Sequence, residues 1–493
     1  MKQAPQHQQQ TSVRRAWGGL IALVTLLMAC SSPSPTATPA QERSGTPPSS
    51  SATPKQSAEA RTATEIHTRG AKLTPGAAAS PAEAEDLDPD DDVLRVRLVA
   101  QAHEGEMGAV VYAYNGQRPG PTLRAKVGDR LVVELDNQLT MPTTLHWHGV
   151  KVPFEMDGVV WMGEPVAPGA SRLISFELNQ AGTYWYHPHF NTASQVDRGL
   201  YGALIVEDPS HPNPDETLVL MFDTPDEDIE PHHGHGHGRL ATAWWVNGHQ
   251  RPTFTLTGGT RVRARLINAS NVGYLDLNWP GMRQIASDQG LLPAPVVEGR
   301  LVLGPGDRAD VELRVGDQEW TAWSTPYSLN GGATLGEPVA LFDVSVEEPA
   351  DVPEPLALPY GGQRPSSDPP YADIVYVLAG SDRTGQWRIN GERFPDVTIH
   401  EVELGSEVIV EVRNLSPTEH PFHIHGVAFE VLSINGIAPE WRTVEDTINL
   451  AVRDVVRLRV VADNPGDWMT HCHILPHAED GMMTILRVVE PDP

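Results

Sequence analysis

One pattern recurs three times along this sequence, and it restricts the fold more than any other feature. Asn115-Gly116 precedes the run Arg130-Leu131-Val132-Val133-Glu134-Leu135-Asp136-Asn137; Asn247-Gly248 precedes Arg261-Val262-Arg263-Ala264-Arg265-Leu266-Ile267-Asn268; Asn390-Gly391 precedes Glu407-Val408-Ile409-Val410-Glu411-Val412-Arg413-Asn414. Asn-Gly is a preferred two-residue hairpin turn, and alternation of apolar with polar residues marks a strand with one buried face. Copies of ordinary domain size predict an all-β chain of three consecutive Greek-key sandwiches. The 43 glycines and 44 prolines among 493 residues, without long helical periods, agree with many short strands and turns.

Chemistry enters through four His-x-His pairs: His146-Trp147-His148, His187-Pro188-His189, His423-Ile424-His425 and His471-Cys472-His473. Successive strand side chains point to opposite faces, so the imidazoles of each pair share a face and the middle residue points away. Together the pairs offer enough imidazoles for three metals bound by three, three and two histidines. Cys472 faces the other way and serves a second site. On its own loop follow His477 and then Met482, so thiolate, imidazole and thioether come together, the soft donors of an electron-transfer copper. His420, on a neighbouring strand, can add the second imidazole. A zinc site needs only about four ligands and would leave most of this set unused.

Comparison of the copies locates the two sites. His187-Pro188-His189 in the first matches His471-Cys472-His473 in the third, with Pro188 in the place of the thiol, and Leu200 after Gly199 stands where Met482 follows Gly481. The second copy has no ligand at the matching stretch, Trp320-Thr321-Ala322-Trp323-Ser324, and is expected to be a structural spacer holding the outer copies face to face. Ligands from both outer copies would put the larger site at their interface, where buried sites are often built.

On these residues the chain, from about Leu94 to its end, resembles the three-domain multicopper oxidases of the laccase type. The resemblance implies cupredoxin-like domains and four copper ions. Type 1 copper would take His420, Cys472, His477 and axial Met482; type 2 copper His146 and His423; one type 3 copper His148, His187 and His473, the other His189, His425 and His471. It implies one-electron oxidation of a reducing donor, with phenol-like donors favoured, coupled to four-electron reduction of dioxygen to water. The alternatives are a metallo-oxidase for Cu(I), Fe(II) or Mn(II), and a non-catalytic copper-binding envelope protein. Asp157, followed by Gly158, resembles the family acid that serves protons near type 2 copper, while an Asp before Gly is also a common turn residue. Many bacterial relatives carry a glutamate directly after the last type 1 histidine; here Ala478 stands there and Glu479 comes one residue later. Glu479 is the second candidate proton carrier.

The remaining features concern placement. A net charge of −28 argues against nucleic acid and anionic membrane surfaces as partners. Arg14 and Arg15 precede an apolar run ending Leu27-Met28-Ala29-Cys30, a lipoprotein-type signal peptide over 1–30 with Cys30 as the lipidated residue. The twin arginines are only a weak export signal. Residues 31–92, rich in Ser, Pro, Thr and Ala, read as a disordered tether. The expected divisions are then 93–210, 211–348, a proline-rich linker over 349–370, and 371–493. An exported, membrane-anchored monomer without disulfides is expected, since Cys30 and Cys472 are the only cysteines. The loop His232-His233-Gly234-His235-Gly236-His237 reads either as a copper-gathering loop or as a solvated one.

Overall fold

A computed structural model describes residues 80–491 except 106–108, 225–242, 280, 298, 330–331, 333–335 and 382–385. The signal peptide with Cys30, most of the tether and the histidine loop around His232–His237 lie outside the described residues.

Six sheets pair into three β-sandwiches, and each copy begins in the same way. The strands Val93–Glu104, Glu216–Asp223 and Ile374–Ser381 run parallel to Arg130–Asn137, Arg261–Asn268 and Glu407–Asn414 respectively. Each of the latter pairs antiparallel with a third strand: Ser171–Glu177, Arg308–Arg314 and Val455–Val461. Alternation sets the register. Leu94, Val96, Leu98 and Ala100 are buried while Arg95 and Arg97 are exposed. Each buried Val or Leu contributes roughly 1.5–3 kcal/mol, and a one-residue slip would turn the whole set to solvent.

The Asn-Gly steps form the same turn three times. Asn115, Asn247 and Asn390 have φ of 54°, 51° and 54°, and the following glycines 73°, 80° and 76°, a conformation that favours these two residue types. Each Asn amide also bonds across to the copy's first strand: Asn115 with Val99 N–H and Arg97 C=O, Asn247 with Met221 and Val219, Asn390 with Val377 and Val375. A second repeated asparagine ends the next strand and ties the loop beyond it. Asn414 Nδ2 donates to the carbonyls of Thr418 and Leu450, directly ahead of His420. Asn137 Nδ2 donates likewise to Met141 and Val166, on the approach to His146.

One expectation needs correction. Residues 80–92 are not free tether: Ala84 N–H donates to Thr122 C=O, Thr122 N–H to Ala82 C=O, and Ser80 Oγ accepts from Val219 N–H. Ala84 also packs on the first core. The run 349–370 is fastened at both ends. Leu356 and Leu358 pack on Ile285, Leu356 N–H donates to the buried Glu312, and Ser366 N–H donates to Glu430 of the third copy.

Candidate metal centre

The strand His420–Ile424 carries both sites because its faces differ. His420 and Phe422 point into the third core, and Phe422 lies opposite Cys472; His423 lies opposite His471 on the other face. Cys472 joins that core with Met482, fully buried. Its Sγ is 3.3 Å from His420 Nδ1 and 3.8 Å from His477 Nδ1. The loop returns because Met482 N–H donates to His477 C=O and Cys472 N–H to Met482 C=O, at 3.0 and 3.2 Å. Ser416 Oγ lies 2.6 Å from His420 Nε2, which leaves Nδ1 toward the sulfur, and Trp387 stacks on His477 with ring centres 3.9 Å apart. Burial pushes the Cys472 thiol up, against a hydrogen bond from Ile474 N–H, so a thiolate here requires a cation beside it.

The other eight imidazoles meet between the first and third copies. His189, His425 and His471 bring ligand nitrogens within 4.8 Å of one another, as do His146, His148 and His187, and His146, His423 and His425. His473 lies with ring centre 4.8 Å from His148 and 5.7 Å from His187. The eight paired histidines thus gather at the interface, and His420, Cys472 and His477 in the third core, which also contains Met482.

The hydrogen bonds decide which nitrogen each ring presents. His146, His187, His423 and His471 direct Nδ1 to the carbonyls of Asp157, Pro188, Asp446 and Cys472, each at 2.9 Å, and His425 directs Nδ1 to Asp157 Oδ2 at 2.9 Å. His148 is turned around: its Nε2 meets Asp446 Oδ1 at 3.1 Å. Left over are His146 Nε2, His148 Nδ1, His187 Nε2, His189 Nε2, His423 Nε2 and both nitrogens of His473, buried without a hydrogen-bond partner. Buried, orphaned nitrogens gathered in one place are costly for protein alone and suit metal ions, with the acceptors behind them orienting the rings. Burial, reinforced by the neighbouring imidazoles, lowers the ring values of His148, His187, His189, His425 and His473 well below normal, and that of His471 to about 3, so the rings are neutral and able to bind metal.

Asp157 is buried between His146 and His425, with Oδ1 3.1 Å from His146 Nδ1. Glu479 sits apart, accepting from Ala193 N–H at 2.9 Å in the wall of a mostly apolar cavity of about 160 Å³ that also reaches His189 and His471. Burial raises its carboxyl, opposed by N–H bonds from Ala193 and Thr192.

Sequence reasoning missed Asp446 and everything the second copy contributes. Burial opposes ionisation of Asp446, but the Arg308 charge and bonds from Arg308, His148 and His423 hold its carboxyl well below the usual range. A signal existed: Arg308, Asp310 and Glu312 place charges at every second position of one strand, and all three are buried. The second copy holds no histidine of either cluster, yet it does more than space the outer two.

The sequence matches the multicopper oxidase family over residues 97–211 and again over 367–492. It is 31% identical over 406 residues to the multicopper oxidase mco of Staphylococcus haemolyticus, covering 76% of this chain and 83% of that protein. Among solved structures, it is similar to a multicopper oxidase from Campylobacter jejuni described as a metallo-oxidase, at TM-score 0.71 and 27% identity over 85% of this chain and 96% of that one. A laccase from Pediococcus acidilactici gives TM-score 0.72 and 27% identity over 85% and 95%. Repeated sandwiches, buried histidine clusters and this shared sequence lead to one conclusion: the chain belongs to the multicopper oxidase family and is a copper-dependent oxidase.

Proposed function

We propose that the chain oxidises phenol-like donors one electron at a time at a type 1 copper held by His420, Cys472, His477 and Met482, and reduces dioxygen to water at a three-copper cluster held by the eight paired histidines. One observation carries the reading: Cys472 Sγ lies beside His420 and His477 in the third core, while its neighbours His471 and His473 belong to the interface cluster. Copper bound in both places supplies the one-electron redox chemistry that links donor to dioxygen. The chain supplies the short covalent path from the sulfur to either histidine, the orientation of the rings and the protons. Asp157 stands on the side of His146 and His425, Glu479 on the side of His189 and His471, so the two acids serve the cluster from different directions.

The likeness to a metallo-oxidase equals the likeness to a laccase, so the donor class is argued from this chain's own residues. A metal-ion donor needs a free carboxylate near the type 1 site. Glu419, next to His420, is closed off from solvent: it is buried, its Oε2 accepts from Tyr327 Oη at 3.1 Å and Asn449 Nδ2 at 2.7 Å, and only its Oε1 has no hydrogen-bond partner. The eleven methionines are dispersed and form no soft-ion insert. Outer-sphere electron transfer from a phenol fits such a site better. Met482→Leu would remove the thioether that could serve a bound copper as a weak ligand, which would disfavour Cu(II) and raise the potential. Rates with poorly reducing phenols are then expected to hold or rise, as steady-state turnover over a series of substituted phenols will show. Efficient Cu(I), Fe(II) or Mn(II) oxidation that vanishes in Glu419→Gln or Glu479→Gln, with phenols untouched, would replace this reading by the metallo-oxidase one.

We also propose that the protein is exported as a monomer and anchored to a membrane through lipidated Cys30. The residues between Cys30 and the first sandwich give the enzyme reach from the surface. One acyl chain anchors only marginally, so more than one is implied. Cys30→Ser is expected to shift the protein from the membrane to the soluble fraction with turnover unchanged, and wild-type protein that is already soluble would end the lipoprotein reading.

A further inference from the structure

We propose that the second copy, which holds no copper, governs the geometry of the three-copper cluster: Arg308 clamps the Asp446 carboxylate, and the clamped carboxylate determines which nitrogen His148 turns to the metal. The inference rests on the copper assignment above and makes Arg308 a positioning residue.

Arg308 is buried at the start of Arg308–Arg314. Its Nη1 and Nη2 donate in parallel to Asp446 Oδ1 and Oδ2 at 2.7 and 2.5 Å, the two-pronged geometry that a guanidinium can make and an ammonium cannot. Its other N–H groups reach Thr183 C=O of the first copy at 3.0 Å, and Asp288 C=O and Gly306 C=O of the second at 3.1 and 3.3 Å. One side chain therefore joins all three copies. Asp446 itself comes from the third copy, and its oriented Oδ1 accepts from Thr447 Oγ1 at 2.9 Å and meets His148 Nε2 at 3.1 Å.

That last contact explains why His148 is reversed. A carboxylate only accepts, so the facing Nε2 carries the ring proton and Nδ1 is left bare toward the cluster. Without the fork the carboxylate keeps, the histidines apart, only one neutral donor on each oxygen, Thr447 Oγ1 on Oδ1 and Gln289 Nε2 on Oδ2. Its charge and its plane are then held less firmly, and His148 is less strictly kept from carrying its proton on the metal-facing nitrogen.

Two glycines show that the chain makes room for this device. A Cβ on Gly149, which follows His148 at φ 85°, would lie 2.3 Å from Arg308 Nη2 and 2.7 Å from Asp446 Oδ2. A Cβ on Gly306, two residues before Arg308 at φ 92°, would lie 2.9 Å from Cγ of His473. The turn of the second copy is thus seated against one ring of the cluster while its arginine reaches behind another.

The test compares copper-loaded wild type with Arg308→Lys, which keeps the charge and loses the fork, Asp446→Asn, which keeps the shape and loses the anion, and Gly149→Ala, which displaces the fork. Each protein is read for blue absorption, the near-ultraviolet absorption of the type 3 pair and retention of copper against a chelator. All three variants are expected to stay fully blue, show an altered type 3 absorption and hold the type 3 copper assigned to His148 about 10–100-fold less tightly, the usual size of an outer-shell loss. Wild-type retention and spectrum in the variants would overturn the clamp, as would parallel loss of the blue and type 3 signals, which marks general unfolding. Wild-type protein without a type 3 signal would overturn the copper assignment beneath it.

Discussion

Serine in place of Cys472 is expected to abolish the blue absorption of the copper-loaded protein and bring donor oxidation down to the background rate, while the interface cluster keeps its copper. The sulfur is the one soft anionic donor between His420 and His477. A serine hydroxyl is close in size, so the buried core is disturbed little, but it is a hard donor and a far weaker acid. The interface rings do not depend on Sγ. His471 Nδ1 bonds the Cys472 carbonyl, which serine retains, and His146, His187 and His423 rest on the carbonyls of Asp157, Pro188 and Asp446. Copper analysis should therefore show the loss of one ion, with the type 2 resonance preserved. A variant that remained blue would place the type 1 centre elsewhere.

Asp157→Asn is expected to slow reoxidation by dioxygen while leaving reduction by the donor nearly unchanged. Two carboxylates stand behind the cluster, and their surroundings separate their roles. Asp446 is gripped by Arg308 and kept as an anion. Asp157 meets only the histidine side, His425 Nδ1 at 2.9 Å and His146 Nδ1 at 3.1 Å, and among the described residues no lysine or arginine pairs with it. The proton role proposed above therefore falls to Asp157 and not to Asp446. An amide keeps the outline and one acceptor oxygen but does not titrate, and loss of a positioned acid–base group costs about 10²–10⁴-fold in the step it serves. Stopped-flow recording of the blue band, bleaching under anaerobic donor and returning on mixing with dioxygen, separates the half-reactions. Equal slowing of both would mean a distorted site rather than a missing proton carrier.

The sequence carried the fold and the ligand-bearing residues for the same reason: both are written locally. Alternation within His420–Ile424 or His471-Cys472-His473 tells which side chains share a face, and the Asn-Gly turns mark where each sandwich starts. Asp446 was not legible because its meaning is remote. It lies 298 residues from His148 and 138 from Arg308, and Glu445-Asp446-Thr447 taken alone is indistinguishable from any polar strand end. The charges at alternate positions of Arg308–Arg314 could have been noticed, since a strand face with ions at every second place must either meet solvent or find partners. Asp310 meets Arg263, Arg265 and Thr183, and Glu312 meets Arg283 and the backbone of Leu356, so that face is a docking surface of paired ions. The end of the tether was misread on composition, since Ala82 and Ala84 are held by backbone bonds to Thr122, which do not depend on residue type.

The opposed ring nitrogens also bear on the heat tolerance of the protein. His425 Nε2 and His471 Nε2 lie 3.0 Å apart in the buried interior, among the orphaned nitrogens of the neighbouring rings. With both Nδ1 atoms turned to oxygen acceptors, the two Nε2 atoms face each other with their lone pairs before copper arrives, and folding must bring them together. Copper removes that repulsion in the folded chain and finds no comparable array of ligands in the unfolded one. Its binding energy is therefore added to the folding energy, in proportion to the logarithm of free copper over its dissociation constant. How well the folded state resists heat is thereby tied to the supply of copper where the chain matures.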